Sequence, residues 1–518
     1  MTTLPPQYDI AIIGYGPTGV TAANLLGKQG LEVLVVERDA DIYARARAIS
    51  TDEEVLRIWQ QVGLADQLNA DMLAGRPVAF VDADGKPFIE LHSVSRGAGH
   101  PPQQFIYQPA VEKVLRAGVD RFPNVELRLG HECLRIKQDD NGVELLLANL
   151  TDDAFTRVRA SYVIAADGGS SATRGQLGIG YEGKTFGERW VVIDTKVLNE
   201  WPGHDNLRFH CNPARPTVDC PTPLGHHRWE FPVRDGEDEK VLVTEAAIWQ
   251  VLNNQGITSD DVEILRAVVY SHHVRFADRW RVGRVFLAGD AAHAMPPWIG
   301  QGMSAGVRDA ANLCWKLGAV LSGSLPDSVL DSYQVERMPH VRETTKRAVS
   351  VGRIITERHR LLATARNHAF RVAMRVPGFP SWMRERRWIP HAHYPSGFQS
   401  PVSNSAVGRQ IPQPWVLDQK GNRERLDDVL GNQWTVLYTG TEQRWKQWES
   451  AGVTAIRLGE AGSPTGPDTI VDTEGLLFTW MIEKRATAIA VRPDGFVYAA
   501  SSHNDALPPP PNGLSVRT

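Results

Sequence analysis

The sequence has few cysteines, and no two of them lie close together. Cys133, Cys211, Cys220 and Cys314 are widely spaced in a chain of 518 residues and form no CxxC pair. This spacing gives no sign of a zinc site, a dithiol redox centre or a disulfide framework. We therefore expect a protein of the reducing cytoplasm that binds no metal.

Long apolar runs and long basic runs are absent as well. No window approaches the roughly 20 apolar residues of a membrane-spanning helix, and the N-terminal MTTLPPQ lacks the pattern of a signal peptide. A net charge of −4 without a long basic run argues against a nucleic-acid partner. No internal repeat is visible, and the length predicts about three domains.

The first informative motif is GYGPTG at residues 14–19. It follows a short apolar run, YDIAII, and precedes a helical pattern and a second apolar run that ends at Glu37. Glycines at this spacing let a backbone approach a pyrophosphate at a helix N-terminus, and the acid binds ribose hydroxyls. In a chain with 45 glycines the spacing alone is a weak signal. The full order of strand, turn, helix, strand and acid nevertheless favours a dinucleotide site over a glycine-rich turn without a ligand.

The second motif is LAGDAAHAMPPWIGQGM, residues 287–303. An apolar strand breaks at Gly289-Asp290, crosses two prolines and leads into an apolar-periodic helix. A strand that delivers one carboxylate to a helix N-terminus can hold hydroxyl groups beside N–H groups that accept an anion. We interpret this segment as closing over a flavin.

Two arginines precede a helix in the stretch RARAIS, residues 45–50. The helix is predicted to begin with a capping box formed by Thr51 and Glu54. Arg45 and Arg47 are suited to pair with a phosphate, and a solvated basic turn is the alternative.

Three separated motifs together resemble a known family. They are GxGxxG with Glu37, the run DGGSSATR that begins at Asp167, and GDAAH followed by PP and GQG within residues 289–302. Over about residues 8–345 they resemble the FAD-dependent aromatic hydroxylases, the p-hydroxybenzoate hydroxylase-like flavoprotein monooxygenases. The segments GVRDAANLCWKL, ERWVVID, CNPARPT and HHRWEF are similar to the 3-(3-hydroxyphenyl)propionate hydroxylase branch.

The resemblance implies an α/β (mixed α+β) fold with a Rossmann-like FAD-binding domain, an inserted mixed β-sheet domain and a thioredoxin-like C-terminal domain. Without a CxxC pair, that last domain is not expected to be redox-active. In the inserted sheet, TFGERWVVIDTKV, NLRFHCN, HHRWEFPV and EKVLVTEAAIW are predicted strands. The predicted boundaries are 1–183 and 277–392 for the FAD-binding domain and its helical region, 184–276 for the substrate-binding sheet, 393–410 for a linker, 411–505 for the C-terminal domain and 506–518 for a disordered tail.

The resemblance also implies which residues contact FAD. Glu37 would bind the adenosine ribose, Arg47 would face the phosphates, and Gln108 would lie near the ribityl chain. Asp290 would bind the ribityl hydroxyls, and Pro297 would lie beside the isoalloxazine ring. The complete predicted set is Gly14, Gly16, Pro17, Thr18, Gly19, Glu37, Arg38, Arg47, Gln108, Asp167, Gly168, Asp290, Pro297, Gly300, Gln301, Gly302 and Met303.

The implied reaction uses NADH or NADPH as a transient electron donor. The donor would reduce FAD, and the reduced flavin would capture O2 as a C4a-hydroperoxide that hydroxylates a phenolic acid. Asp167 and Gly168 would serve both cofactors, because the sequence has no second dinucleotide fold. Ser304 departs from the asparagine of many relatives, which puts a side-chain contact to the flavin ring in doubt at that position. A homodimer is left open.

The substrate is expected to bind at the predicted sheet. Phenol activation needs a base or a hydrogen-bond acceptor, and an arginine suits a substrate carboxylate; for each candidate a structural role is the alternative. For His293, inside the second motif, the structural role is favoured. The candidate catalytic residues are Pro297, His210, Tyr270 and His272, and the candidate substrate-binding residues are Arg215, His227, Arg228 and Trp298.

Two other functions remain open. A flavin monooxygenase acting on a polyketide, an antibiotic or another polycyclic acceptor would carry the same motifs, because they specify the flavin and not the substrate. A binding protein without redox turnover is the second alternative, and the intact Asp167 and Asp290 argue against it.

Overall fold

The computed structural model describes residues 5–42, 47–440, 445–502 and 505–516, without the side chains of 186–188. Arg45 therefore lies outside the described residues. The first part of the chain contains β1 (Gln7–Ile13), α1 (Pro17–Lys28), β2 (Val33–Glu37), β3 (Ser50–Asp52), α2 (Glu53–Gln60), α3 (Ala65–Ala70), β4 (Leu73–Ala74), β5 (Val78–Val81), β6 (Pro87–Leu91), β7 (Gln103–Phe105), α4 (Gln108–Val119), β8 (Val125–Leu129), β9 (His131–Asp139), β10 (Gly142–Asn149), β11 (Phe155–Ala165) and α5 (Ala172–Gln176).

The middle part continues the same numbering. It contains β12 (Tyr181–Val197), β13 (Leu207–His210), β14 (Thr217–Thr222), β15 (His226–Pro232), α6 (Glu239–Leu242), α7 (Glu245–Asn253), β16 (Val262–Ala277), β17 (Arg281–Val282), β18 (Val285–Leu287), β19 (His293–Ala294), α8 (Gly302–Leu321), α9 (Ser332–Ile355), α10 (Arg360–Ala373) and α11 (Phe379–Arg384). Short 3-10 turns cover Gly289–Ala291, Pro297–Ile299 and Asp327–Asp331.

The last part forms a separate seven-stranded sheet with flanking helices. It contains β20 (Trp415–Leu417), β21 (Arg423–Arg425), α12 (Leu426–Leu430), β22 (Thr435–Tyr438), α13 (Lys446–Ser450), β23 (Thr454–Gly459), β24 (Thr469–Asp472), α14 (Leu476–Glu483), β25 (Ala488–Val491) and β26 (Val497–Ser501). The strand order is β21-β20-β24-β23-β22-β25-β26, with β22, β23 and β24 parallel and β25 and β26 antiparallel. This mixed sheet agrees with the predicted thioredoxin-like domain.

The first sheet has the doubly wound arrangement that the glycine motif predicts. Its path is β17-β18-β11-β1-β2-β8, and β18, β11, β1, β2 and β8 run parallel to one another. Both faces are covered, since every residue of β1 from Ile10 to Ile13 is buried, as expected for a parallel sheet. Helices α1 and α8 pack against it and against each other.

The second sheet recruits strands from outside its predicted boundaries. Its order is β19-β16-β12-β15-β14-β13-β5-β6, so β5 and β6 come from residues 78–91 and β19 from the second motif. Three predicted strands are observed as β12, β13 and β15. The fourth, EKVLVTEAAIW, is wrong: its residues form α6 and α7, because Asp238 caps a short helix and Ile248 and Leu252 bury one face of the next.

Two other local predictions need correction. The cap of α2 is Asp52, whose carboxylate accepts from the N–H groups of Glu54 and Val55, while Thr51 lies in β3. The tail is ordered where it is described, because Leu507 and Leu514 are buried and the Val516 N–H donates to the Ala451 carbonyl. The predicted disorder was wrong for these residues, because the few apolar side chains of the tail pack into the core.

Residues 393–410 form no helix or named strand within the continuously described range 47–440, as their composition predicts. They are packed, however: Tyr394 is buried and its ring lies 4.3 Å from that of Phe496. Among the described residues, no helix combines the length and the apolar character that crossing a bilayer requires.

Candidate cofactor and substrate site

The ends of four neighbouring parallel strands define one edge of the first sheet. Strands β18, β11, β1 and β2 are consecutive in the sheet and end at Leu287, Ala165, Ile13 and Glu37. Carboxyl ends of parallel strands face the same edge, and ligands of such sheets bind in the crevice there. The three sequence motifs therefore meet in space, although they are separated by more than a hundred residues in the chain.

The first glycine loop is shaped by close backbone packing. Gly14 has a φ of +98°, and a Cβ there would overlap the Ala166 carbonyl oxygen. A Cβ at Gly19 would overlap the Gly14 carbonyl, whereas nothing lies within 4 Å of one at Gly16. Pro17 is the first residue of α1, and the preceding Gly16 offers no side-chain cap. The loop thus leaves the N-terminal N–H groups of α1 beside open space.

Glu37 holds this loop in place. Its carboxylate accepts from the N–H of Tyr15 at 2.7 Å and from the N–H of Asp39 at 2.9 Å. Arg38 follows it on the exposed surface. These bonds place the carboxylate beside the glycine loop, where the sequence predicts a ribose contact.

The second motif is anchored to α1 through Thr18. A Cβ at Gly289 (φ +59°) would lie 2.6 Å from Thr18 Oγ1, and a Cβ at Gly306 would overlap the same oxygen. Only glycine allows this approach of α1, α8 and the turn between β18 and α8. Thr18 therefore packs between the turn at Gly289 and helix α8.

A buried carboxylate that sequence reasoning missed holds the same turn. Asp309 accepts from the Gly289 N–H at 3.1 Å, from His293 Nε2 at 2.7 Å and from Arg337 Nε at 2.9 Å. The side chains of Asp309, His293 and Arg337 are all buried. Burial alone would raise the pKa of the Asp309 carboxyl, but His293 and Arg337 hold it below its ordinary value. The arrangement supports the structural role favoured for His293, and a charged residue within the apolar-periodic pattern of α8 was the available signal.

Asp167 and Arg174 connect the middle motif to the other two. Asp167 Oδ2 accepts from the Thr173 N–H at 3.1 Å, while its buried Oδ1 has no hydrogen-bond partner among the described residues. Arg174 donates to the carbonyls of Ala291 at 3.0 Å and of Gly169 at 2.8 Å. The loop containing Gly168 is therefore tied directly to the turn that contains Asp290.

Gln108 holds the loop before α2 in place through hydrogen bonds. Its Oε1 accepts from the N–H groups of Arg47 at 2.8 Å and Ala48 at 2.7 Å, and its Nε2 donates to Glu112. Arg47 Nη1 lies 3.7 Å from Asp290 Oδ2, and these side chains are 69% and 48% exposed. Gln108 thus positions Arg47, and Arg47 and Asp290 present opposite charges at the open edge.

The GQG segment is similarly engaged by the protein itself. Gln301 Nε2 donates to Asp52 at 2.9 Å, and Arg308 donates to Gln301 Oε1 at 3.0 Å. Gly300 has a φ of +63°, and a Cβ there would overlap Ser50 Oγ. The Gln301 side chain is held by Asp52 and Arg308. A cofactor would therefore meet the backbone of this segment, which runs from Gly300 through Gly302 to Met303 at the start of α8. The hydroxyl of Ser304, in the first turn of α8, is buried and has no hydrogen-bond partner within the described part of the chain.

The second sheet carries an aromatic cluster beside this segment. Pro297 is exposed, and the Trp298 ring lies 4.8 Å from Trp190 and 5.4 Å from His272. Trp298 also packs on α9, where a Cβ at Gly352 would overlap its indole nitrogen. Trp190 and His272 are buried, so the cluster gives this face an apolar wall.

A hydrogen-bonded chain runs through the same face. Tyr270 Oη donates to Glu230 Oε2 at 3.1 Å, and His272 Nε2 is 3.0 Å from Tyr270 Oη. Because the Tyr270 proton is used toward Glu230, His272 donates through Nε2 and keeps the acceptor lone pair on Nδ1. Burial lowers the pKa of His272 to about 4, so the imidazole is neutral at pH 7. Burial also raises the pKa of Tyr270.

Arg228 joins the sheet to the cofactor edge. Its Nε donates to Asp194 at 2.6 Å and its Nη1 donates to the Arg47 carbonyl at 3.1 Å. Asp194, Arg228 and Cys220 are paired across β12, β15 and β14, so their side chains share the face that carries Tyr270 and Trp190.

The other candidates lie on the opposite face of this sheet. His210 and His227 both bind the buried carboxylate of Asp219, at 2.5 and 3.2 Å, and Asp219 pairs with Trp229 rather than with the Arg228 row. Arg215 forms an ion pair with Glu237 next to that face. We therefore revise the sequence-based roles of His210, His227 and Arg215: alternation along β13 to β15 turns these side chains away from Trp298.

Comparison with known proteins identifies the family. A family model described as an FAD binding domain matches residues 7–348. A 3-(3-hydroxy-phenyl)propionate/3-hydroxycinnamic acid hydroxylase of Burkholderia cenocepacia is 34% identical over 508 residues, which cover 95% of this chain and 93% of that protein. The chain belongs to the FAD-dependent aromatic hydroxylases. A second model, described as the HcaD C-terminal domain, matches residues 408–508 of this hydroxylase.

Solved structures share the fold over nearly the whole chain. The flavin-dependent monooxygenase PieE, determined with FAD and substrate, has a TM-score of 0.81 and 24% identity, covering 97% of this chain and 98% of its own. Aklavinone-11 hydroxylase, determined with FAD and aklavinone, has a TM-score of 0.77 and 24% identity, covering 97% of each chain. The predicted fold class is confirmed.

The residues at the sheet edge fit FAD. The open N-terminus of α1 suits the pyrophosphate, Asp167 Oδ1 is a buried acceptor without a partner, and the exposed carboxylate of Asp290 is suited to hydroxyl groups. FAD, when bound, supplies electron transfer from a nicotinamide and oxygen transfer from O2.

Asp290→Ala is expected to weaken FAD binding by about 10- to 100-fold, because a hydrogen bond to a charged group is worth about 1.5–3 kcal/mol. The fold should be unaffected, since the Asp290 side chain is half exposed. Fluorescence titration of the apoprotein with FAD measures the change, with the exposed Asp152→Ala as a matched control. Equal FAD affinity in both variants would remove Asp290 from the site.

Proposed function

We propose that this hydroxylase acts on a phenolic aromatic acid of the 3-(3-hydroxyphenyl)propionate type, with NADH or NADPH as electron donor and O2 as the oxygen source. The observation that supports the proposal is the hydrogen bond from Arg228 to the Arg47 carbonyl, which joins the sheet face that carries Tyr270 to the loop whose Arg47 side chain lies near Asp290. The 34% identity to a hydroxylase so named supports the same substrate class.

Tyr270 and His272 are the proposed proton-handling groups. Activation of a phenol ring requires a group that holds or accepts the hydroxyl proton, and the neutral imidazole of His272 has an acceptor lone pair on Nδ1. Glu230 holds Tyr270 in position from the other side. Pro297, Trp298 and Trp190 would exclude water around the reacting ring.

The remaining parts of the proposal concern partners and location. Asp167 and Gly168 are proposed to meet both FAD and the nicotinamide at the sheet edge. The four cysteines are free and buried, which supports a cytoplasmic location. We retain a homodimer as the proposed assembly.

A substrate panel tests the proposal. NAD(P)H oxidation by the FAD-loaded protein is expected to accelerate on addition of 3-(3-hydroxyphenyl)propionate or 3-hydroxycinnamate, and to yield a dihydroxylated ring. Phenylpropionate without the ring hydroxyl is the matched control for product formation. A flat response to phenolic acids together with acceleration by a polycyclic acceptor would favour the alternative substrate class, as in the enzyme solved with aklavinone.

Tyr270→Phe is expected to lower kcat by about 100-fold or more at saturating substrate, the usual size of a lost acid–base contribution, while FAD affinity stays unchanged. Steady-state kinetics and FAD titration measure the two effects. Tyr438→Phe, in the C-terminal domain, is the matched control. If both variants turn over like the unchanged protein, Tyr270 has no part in handling the proton.

A further inference from the structure

A cavity of about 290 Å³ lies between the FAD-binding domain and the C-terminal domain. Its walls come from the start of α2, the loop at 96–98, the segment 409–412 and the end of α14. It is distinct from the sheet edge that carries the Gly14, Asp167 and Asp290 motifs, and the proposed reaction makes no use of it.

The acidic side chains in this cavity already have partners. Glu53 accepts from Ser95 Oγ at 2.6 Å and from the Arg96 N–H at 2.7 Å. Glu54 pairs with Arg308 at 2.5 Å. Arg57, also in the wall, is bound by both carboxylate oxygens of Asp427. Glu54 and Arg57 are thus paired with groups of opposite charge, and Glu53 is held by hydrogen bonds.

Three other cations of the wall form no close ion pair among the described residues. Among the described residues, no carboxylate oxygen lies within 4.0 Å of the charged groups of Arg96, Arg409 or Lys484. Arg96 donates only a long bond of 3.3 Å to the Ile389 carbonyl, and Arg409 donates through Nε to the Ser405 carbonyl. Burial lowers the pKa of Arg96, although the nearby carboxylates of Glu54, Glu53 and Asp52 oppose this effect.

The remaining wall is apolar and aromatic. Trp480, Ile411 and Pro412 face the same space as Lys484. A volume of 290 Å³ is at the lower end of the range for small-molecule sites, which suits a single-ring compound and not a dinucleotide. We propose that this interdomain cavity binds a small aromatic carboxylate, with the carboxylate on Arg96, Arg409 and Lys484 and the ring against Trp480.

The cavity is connected to the flavin motif by a short chain of bonds. Glu54 lines the cavity and accepts from Arg308, which also donates to Gln301 Oε1 at 3.0 Å and to Asp52 at 2.6 Å. A smaller adjoining cavity is lined by Arg96, Glu54, Arg308 and Gln301 together. A ligand at Arg96 is therefore expected to shift the absorption spectrum of bound FAD, a consequence that rests on the FAD site assigned above.

Isothermal titration of the FAD-loaded full chain with 3-phenylpropionate tests the site. Two binding events are expected, one at the substrate face and one in the interdomain cavity. In the double variant Arg96→Gln/Lys484→Gln the second event should weaken by about tenfold or more, equivalent to about 1.4 kcal/mol, because two cations that would bind the carboxylate are lost, while the first event stays unchanged. Arg384→Gln/Lys420→Gln, which removes two exposed cations elsewhere, should leave both events unchanged.

Two further variants change the other proposed contacts of the ligand in the cavity. Arg409→Gln should weaken the second event even if the double variant does not fold, and Trp480→Ala should weaken 3-phenylpropionate but not a simple anion. Equal second events in the cavity and control variants, or a single event in the unchanged protein that the cavity variants leave unchanged, would overturn the proposal. Binding of inorganic phosphate in the cavity without binding of 3-phenylpropionate would overturn the assignment to an aromatic carboxylate. Loss of hydroxylation activity bears only on the proposed function, since binding is measured directly.

Discussion

Asp309→Ala is expected to lower the free energy of unfolding by about 3–5 kcal/mol, the usual cost of leaving one partner of a buried ion pair alone. The substitution leaves the Arg337 guanidinium buried without its carboxylate and removes the acceptor for the Gly289 N–H and for His293. Because Gly289 begins the turn that carries Asp290, FAD retention should fall with stability. Urea unfolding and FAD content of the purified protein measure both effects.

Two matched variants separate the causes. Asp309→Asn keeps an acceptor but removes the charge, so its loss of stability should be smaller than that of Asp309→Ala. Asp331→Ala removes a carboxylate that is 72% exposed and pairs with Arg281, and it should change stability by less than about 1 kcal/mol. Equal stability of Asp309→Ala and Asp331→Ala would contradict the proposed role of the buried carboxylate.

Removal of the C-terminal domain at Ser405 is expected to abolish a stably folded enzyme. The two domains share a core in which Trp315 packs beside Trp434. Arg492 donates to both oxygens of Glu336, at 2.8 and 3.1 Å, and all of these charges are buried. Truncation would expose this apolar surface and remove the partner of a buried carboxylate.

Thermal unfolding and FAD content of the truncated protein measure the effect. Arg492→Ala should reproduce part of it, with a loss of about 3–5 kcal/mol, while the exposed Arg457→Ala in the same domain should have little effect. A truncated protein that melts at the original temperature and keeps its FAD would show that the interface contributes nothing to the fold.

The sequence predicted those features that depend on local order along the chain. Gly14, Asp167 and Asp290 each follow a buried apolar strand, and parallel strands place such residues at one edge whatever the loops between them do. Pro109 in the first turn of α4 is a local signal of the same kind, because proline is tolerated at the start of a helix.

Features that depend on long-range pairing were not predicted from the sequence. Which face of the second sheet a side chain occupies depends on the register of β13, β14 and β15, and His210 and Tyr270 differ in this respect although both looked like candidates. The pairing of Glu336 with Arg492 joins residues more than 150 positions apart. The bonds that Gln108 and Gln301 form within the protein are not visible in the sequence either, because nothing in the chain indicates that Arg47, Asp52 and Arg308 bind their side chains.

We expect this enzyme to transfer an oxygen atom from O2 to a phenolic acid. The most direct measurement supplies 18O-labelled O2, NAD(P)H and 3-(3-hydroxyphenyl)propionate to the FAD-loaded protein and determines the mass of the product. We predict a dihydroxylated acid that carries one labelled oxygen atom for each nicotinamide oxidised. Oxidation of the nicotinamide that yields only hydrogen peroxide with every phenolic acid, or a product whose new oxygen comes from water, would contradict the account.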